Sequence, residues 1–398
     1  MRRLLAASVL LLAATAQAAT FDVGPGKAIT RLEDALKQAK PGDEIVVHAA
    51  DAKAYTKTAL LVRTQKLTIR AADKNQKVVL DGAGFDYSGR GSVPRAIVQF
   101  DPAASDCVLE GFELINARNS SNNGAGVRIN QANNITIRNC MIRNNDMGIM
   151  SNGKATDKTA VNQLIEYCTV TKNGTEKHAG YNHNFYLGGT SVFVRGCEIS
   201  DSVTGHNVKS RAHFNWFEYN RVSNSANREF DLVDGAGATD QPDSHSVLLG
   251  NIITKKPKMT GNKSVIHFGK DVGTAHTGTL FLLHNTITTP YVSPVVDLSS
   301  DGASAVFINN KVEDAGAKQA GVMARVVEGA KILAGEGNVV AEAFVKSRPA
   351  AVGVGLLVPW AKVEAPWERS LAGKQTPLLM FESLGNLAER KAPAAGAK

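Results

Sequence analysis

What is scarce in this chain narrows its class. Cysteine is scarce, with 4 in 398 residues. That is enough for two disulfides in an exported protein, but the positions argue otherwise, as shown below. Aromatic residues make up only 6% of the chain, and no Lys/Arg-rich stretch alternates with them, so nucleic acid is excluded as a partner. Long apolar runs are missing too. The most apolar run near the start, Leu4 to Ala14, is too short to span a bilayer. No cysteine follows Ala16-Gln17-Ala18, so no lipid anchor is expected. Excess charge is modest, at +8. An acidic polysaccharide suits that sign, and the alternative is that the charge serves only solubility.

Arg2 and Arg3, the apolar run and the small-residue Ala16-Gln17-Ala18 site read as a cleavable signal peptide over residues 1–18. A periplasmic or secreted, monomeric protein without a membrane span is expected.

The dominant feature is a repeated phrase. It reads Gly111-Phe-Glu-Leu114, Asn139-Cys-Met-Ile142, Tyr167-Cys-Thr-Val170, Gly196-Cys-Glu-Ile199, Tyr219-Asn-Arg-Val222, Gly250-Asn-Ile-Ile253, His284-Asn-Thr-Ile287 and Asn309-Asn-Lys-Val312. Successive last residues are 28, 28, 29, 23, 31, 34 and 25 apart. Short β-rich runs at such a period predict an all-β chain, a single-stranded parallel β-helix in which each repeat is one coil of a solenoid. Equivalent residues of neighbouring coils then lie about 4.8 Å apart. Cys140, Cys168 and Cys197 share one column with Asn220, Asn251, Asn285 and Asn310. Stacked thiols pack as small hydrophobes, and stacked asparagines pass amide hydrogen bonds from coil to coil. A ladder is therefore expected rather than disulfides or a metal site. Cys107 lies outside the column.

Leu32, Ala35, Leu36 and Ala39 have helical spacing, and Lys40-Pro-Gly-Asp43 ends the run. A short helix over 29–39 would cap the open end of the solenoid. Strands are expected at 44–47, 60–62, 67–70, 78–80 and 96–100, and the β-helix with its cap over 19–345. Residues 346–398 read as a wrap over the last coils, with Pro359-Trp360 and Pro366-Trp367, followed by a disordered Ala/Pro/Lys tail.

Each coil carries a second strand, seen in Gly126-Val-Arg-Ile129, Asn184-Phe-Tyr-Leu187, Asn207-Val-Lys-Ser210 and Glu229-Phe-Asp-Leu232. Alternation along a strand turns Val127, Ile149, Phe185, Val208, Phe230, Ile266 and Val296 inward. Arg128, Met150, Tyr186, Lys209, Asp231, His267 and Asp297 then form an outward column. Asn184, Asn207 and Glu229 are placed beside it on the same face, with Arg211 beyond Lys209 and with His183 and His206 at the strand edges. These are groups able to bind or deprotonate a sugar acid. The bland alternative is a solvated sheet face. Lys209, Tyr186, Arg211, His183 and His206 are the catalytic candidates. Arg128, Asn184, Asn207 and His267 are the substrate-binding candidates, and Glu229 with Asp231 is the candidate cation pair.

At these residues the chain resembles the pectate-lyase-like right-handed β-helix superfamily. Phe21-Asp-Val-Gly-Pro-Gly26 and Ala39-Lys-Pro-Gly-Asp-Glu-Ile45 look like the opening of its bacterial members. Gly124-Ala-Gly-Val-Arg128, His183-Asn-Phe-Tyr186 and Gly205-His-Asn-Val-Lys-Ser-Arg-Ala212 resemble an exported group within it. Val208-Lys-Ser210 followed by Tyr219-Asn220 is similar to the alginate lyase and chondroitinase B family. That resemblance implies a lysine base at Lys209, an assisting arginine from the next coil, and calcium. Asp231 stands where that arginine is expected, and the family's calcium ligands have no identifiable counterparts.

The resemblance implies β-elimination from a uronate polymer, which needs a neutralised carboxylate, a base and an acid. At a dielectric of about 20, Arg211 roughly 7 Å away opposes a Lys209 ammonium by about 2.4 kcal/mol. Asp231 at about 5 Å favours it by about 3.3 kcal/mol. Lys209 and Tyr186 are therefore interchangeable as the base at this stage. A glycan-binding protein and a glycoside hydrolase are the alternatives. For hydrolysis, Asp231 and Asp234 are the only close aspartates, and the paired-Asp motifs of polygalacturonases are absent.

Overall fold

A computed structural model describes residues 18–49, 55–73, 75–291, 293–316 and 323–341. The expected signal peptide, apart from Ala18, and the expected wrap and tail over 346–398 lie outside the described residues. Within them the chain is a right-handed parallel β-helix of three sheets, with one sheet of 12 strands and two of 10. No helix among the described residues is long and apolar enough to cross a membrane.

The repeated phrase forms one ten-stranded sheet. Leu114, Ile142, Val170, Ile199, Val222, Ile253, Ile287 and Val312 are successive partners in it. All eight are buried, because the inward face of every coil is apolar and fills the rod. The first residue of each phrase has a left-handed backbone, from Gly111 at φ 83° to Asn309 at φ 52°. That single residue turns the chain sharply from the twelve-stranded sheet into the phrase sheet. Of the twelve-stranded sheet only the early strands at Glu44–Val47 and Thr68–Ala71 match expected ones, at 44–47 and 67–70; its strands in the regular coils have no counterpart in the expectations. Its strands, such as Thr136–Arg138 and Phe214–Glu218, run straight into the phrase with only this corner between them.

The cysteine–asparagine column is a ladder as expected. Cys197 donates its backbone N–H to Asn220 Oδ1 at 2.9 Å. Asn220, Asn251 and Asn285 each donate Nδ2 to the Oδ1 of the next asparagine at 3.0–3.1 Å. Asn310 extends the ladder one coil further to Asn338 at 2.9 Å. All four cysteines are free, buried thiols. Cys107 packs at another corner, where its Sγ accepts from Leu67 N–H.

The capping helix is Leu32–Gln38, shorter than 29–39 because Arg31 and Ala39 are both extended. Leu32 and Ala35 face the core.

One stretch of the twelve-stranded sheet is apolar on both faces. Val194, Phe217, Leu248, Leu282 and Phe307 line the interior, while Phe193, Trp216, Val247, Phe281 and Val306 point outward in register. The outward five are nevertheless buried.

Candidate functional site

The second ten-stranded sheet carries the outward column in the expected register. Arg128 pairs with Met150, Met150 with Tyr186, Tyr186 with Lys209, Lys209 with Asp231, and Asp231 with His267. Lys209 and Asp231 are almost wholly covered by their neighbours. Tyr186 and Arg211 remain partly open.

Asp231 is the hub of this site. Its carboxylate accepts from Lys209 Nζ at 2.8 Å, Arg228 Nη1 at 2.8 Å and His267 Nδ1 at 2.8 Å. His206 Nε2 faces it at 3.3 Å. Burial works against its ionisation, but the donors from His206, His267 and Lys209 outweigh that and hold the carboxyl well below its usual range.

The two edge histidines are stacked, with centroids 5.1 Å apart. His183 Nδ1 accepts the backbone N–H of His206 at 3.0 Å. His206 Nδ1 accepts that of Arg228 at 3.1 Å. An Nδ1 that accepts places the proton of a neutral ring on Nε2. Burial pushes His206 down to about 3, against the opposing pull of Asp231, and burial with the neighbouring cations pushes His183 well below its normal value. Both rings are therefore neutral donors near pH 7, with their one lone pair already engaged. Both catalytic candidates at the strand edges thus face the site as hydrogen-bond donors. His267 is likewise committed to the protein, with Nδ1 on Asp231 and Nε2 on Ser299 Oγ at 2.6 Å. It has no nitrogen left for a substrate.

Asn184, Asn207 and Glu229 are not on the outer face. Each sits in the bend before its strand, where alternation does not yet apply, and each side chain turns into the rod. They continue a second interior ladder. Asn145 Nδ2 donates to Asn173 Oδ1 at 3.1 Å, Asn173 to Asn184 at 2.9 Å, Asn184 to Asn207 at 2.8 Å, and Asn207 to Glu229 Oε2 at 2.6 Å. Substrate cannot reach the two asparagines. Glu229 ends the ladder against buried Lys255, 4.0 Å away. Burial pushes the Glu229 carboxyl up and the Lys255 ammonium down.

The proposed cation pair is thus divided, with Glu229 inside the rod and Asp231 outside and already holding four donors. Among the described residues, no cluster of three or more His, Cys, Asp and Glu side chains has metal-binding geometry.

Arg211 lies beyond Lys209. Its Nε donates to Tyr186 Oη at 3.3 Å, and its guanidinium also bonds the Asp234 carbonyl and the Asp271 carboxylate. Lys209 Nζ donates to the same Asp271 oxygen at 2.9 Å. Arg128 is three strands away, with Nη2 on Asn152 Oδ1 at 3.0 Å. Burial pushes its guanidinium downward, and Arg95 acts the same way.

No protein-family model matches the chain, and no curated protein sequence matches it. Several solved structures are similar. Pectate lyase Pel9A is 13% identical over 81% of this chain and 82% of its own, with a TM-score of 0.47. An alginate lyase from Paenibacillus sp. str. FPU-7 is 17% identical over 81% of this chain and 99% of its own, with a TM-score of 0.42. A carrot pectin methylesterase is 10% identical over 79% of this chain and 87% of its own, with a TM-score of 0.43.

Asp271 is the site residue that sequence reasoning did not find. It lies in the loop between Ile266–Gly269 and Thr279–Leu283, outside any strand column. The only local signal is an aspartate between Gly269 and Gly273. Asp234 fixes that loop. Its fully buried carboxylate accepts the backbone N–H groups of Asp271 at 2.5 Å, Val272 at 3.0 Å and Thr274 at 2.6 Å, and the Thr274 hydroxyl at 3.0 Å. Despite burial, these donors hold the Asp234 carboxyl below its usual range.

Proposed function

We propose that this protein is an exported enzyme that cleaves a uronate-containing polysaccharide by β-elimination in the trough formed by Tyr186, Lys209 and Arg211. The observation that carries this reading is the convergence of Lys209 Nζ and Arg211 Nη2 on one carboxylate oxygen, beside a phenol that Arg211 also contacts. Two cations aimed at one point form a receptor for a sugar carboxylate, and they stabilise the charge that grows there as the α-proton leaves. Lys209 is committed to Asp231 and to the carboxylate in the trough, so the proton falls to Tyr186. The phenolic oxygen, held by the Arg211 Nε–H, takes the C5 proton as its own hydroxyl proton passes to the leaving oxygen. The C5–H electrons form the C4=C5 double bond as the C4–O bond breaks, and the Tyr186 phenol is left as it began. Arg128, three coils along the trough, meets a second acidic sugar of the same polymer.

The site gives hydrolysis little support. A hydrolase needs one carboxyl group kept neutral as the acid. The carboxyls of Asp231 and Asp234 are both held low and are saturated with donors.

The test is to incubate the full chain with pectate, alginate and glycosaminoglycan uronates while following ultraviolet absorbance of the unsaturated ends. Absorbance should rise with at least one of these polymers. Arg211→Gln should lower kcat/KM on that polymer by about 10²–10³-fold, the scale for losing one charge-stabilising donor. New reducing ends without absorbance indicate hydrolysis. Binding without cleavage indicates a glycan receptor.

A further inference from the structure

We infer that Asp271 is a built-in stand-in for the substrate carboxylate, so that the trough binds an acidic sugar only when the Asp271 side chain leaves. This rests on the uronate reading of the same site. Asp271 is the most exposed member of the cluster, with 37% of its side chain open, against 11% for Lys209 and 19% for Arg211. It comes from a loop rather than from the strand column that carries Lys209. One of its oxygens takes both cations. Its backbone is pinned by Asp234, so the loop stays in place and only the side chain needs to rotate. Gly269 and Gly273, on either side of Asp271, have positive φ values of 146° and 94°, which let the chain carry Asp271 over Lys209. Lys209 keeps Asp231 when Asp271 departs, so the receptor survives the exchange.

A site open about one-tenth of the time binds about tenfold more weakly than one always open. Asp271→Ala should therefore bind the acidic trisaccharide of the cleaved polymer about tenfold more tightly than wild type by calorimetry, and should not bind its methyl ester more tightly. A second measurement is independent of any polymer. Acetate at neutral pH should raise the thermal midpoint of Asp271→Ala and leave wild type unchanged. The Lys209→Gln/Asp271→Ala double variant should lose that response. Unchanged or weaker trisaccharide binding by Asp271→Ala, with wild type still cleaving, overturns the inference and leaves the lyase reading intact. A wild type that cleaves nothing removes the lyase reading. The acetate result then decides Asp271 alone, because no acetate response means no carboxylate receptor.

Discussion

Tyr186→Phe is expected to lower kcat on the cleaved uronate polymer by about 10²–10⁴-fold, the range for a proton-transfer group. KM should change little, because the carboxylate is held by Lys209 and Arg211 and the phenol adds no charge to that contact. The fold should be untouched, since the Tyr186 hydroxyl bonds Arg211 and no buried backbone group. Initial rates of absorbance increase over a range of polymer concentrations separate the two constants. Lys209→Gln gives the contrasting pattern, with KM and kcat both worsening, because it removes the receptor and leaves Asp231 one donor short. Wild-type kcat in Tyr186→Phe would remove Tyr186 from the chemistry and move the proton to Lys209.

The second large effect is loss of stability in mild acid. His183, His206, His245 and His276 are buried and neutral. Burial pushes His206 and His276 down to about 3, His245 to about 4, and His183 well below normal. Unfolded, all four take up protons near the ordinary histidine value of about 6.5. Between that value and about 4 the unfolded chain holds more protons, so stability falls as pH falls. Each extra proton is worth about 1.4 kcal/mol per pH unit. Glu229, whose carboxyl burial pushes up, works the other way by at most one proton. The net is about three protons, or about 4 kcal/mol per pH unit, against a typical total stability of about 5–15 kcal/mol. Urea midpoints at pH 7.5, 6 and 5 should drop steeply. His206→Gln, which keeps an acceptor for Arg228 and a donor for Asp231, should reduce the slope by one proton. Equal midpoints at pH 7.5 and 5 would end the argument.

Where strand register decides a residue's place, the sequence is readable, and where it does not, the sequence misleads. The repeated phrase and the inward partners Val208, Phe230 and Ile266 follow from alternation, as does the outward run from Tyr186 to His267. Asn184, Asn207 and Glu229 look equivalent to them by counting back two, but they belong to a bend whose side chains turn inside. The histidines were readable as members of the site but not as donors, because that depends on backbone N–H groups one coil away. Asp271 was out of reach, since a loop aspartate has no column to betray it. The cysteine–asparagine ladder was readable because one residue type recurs at one place.

The unequal coil lengths have a consequence for how such a protein can change. The phrases are 23 to 34 residues apart, yet partners across all three sheets keep step through the coils that carry the site. Every extra residue is therefore extruded sideways into loops such as the one that delivers Asp271. Lengthening or trimming those loops remodels the walls of the trough while its floor stays fixed, so on the proposed lyase reading substrate preference and chemistry can drift independently.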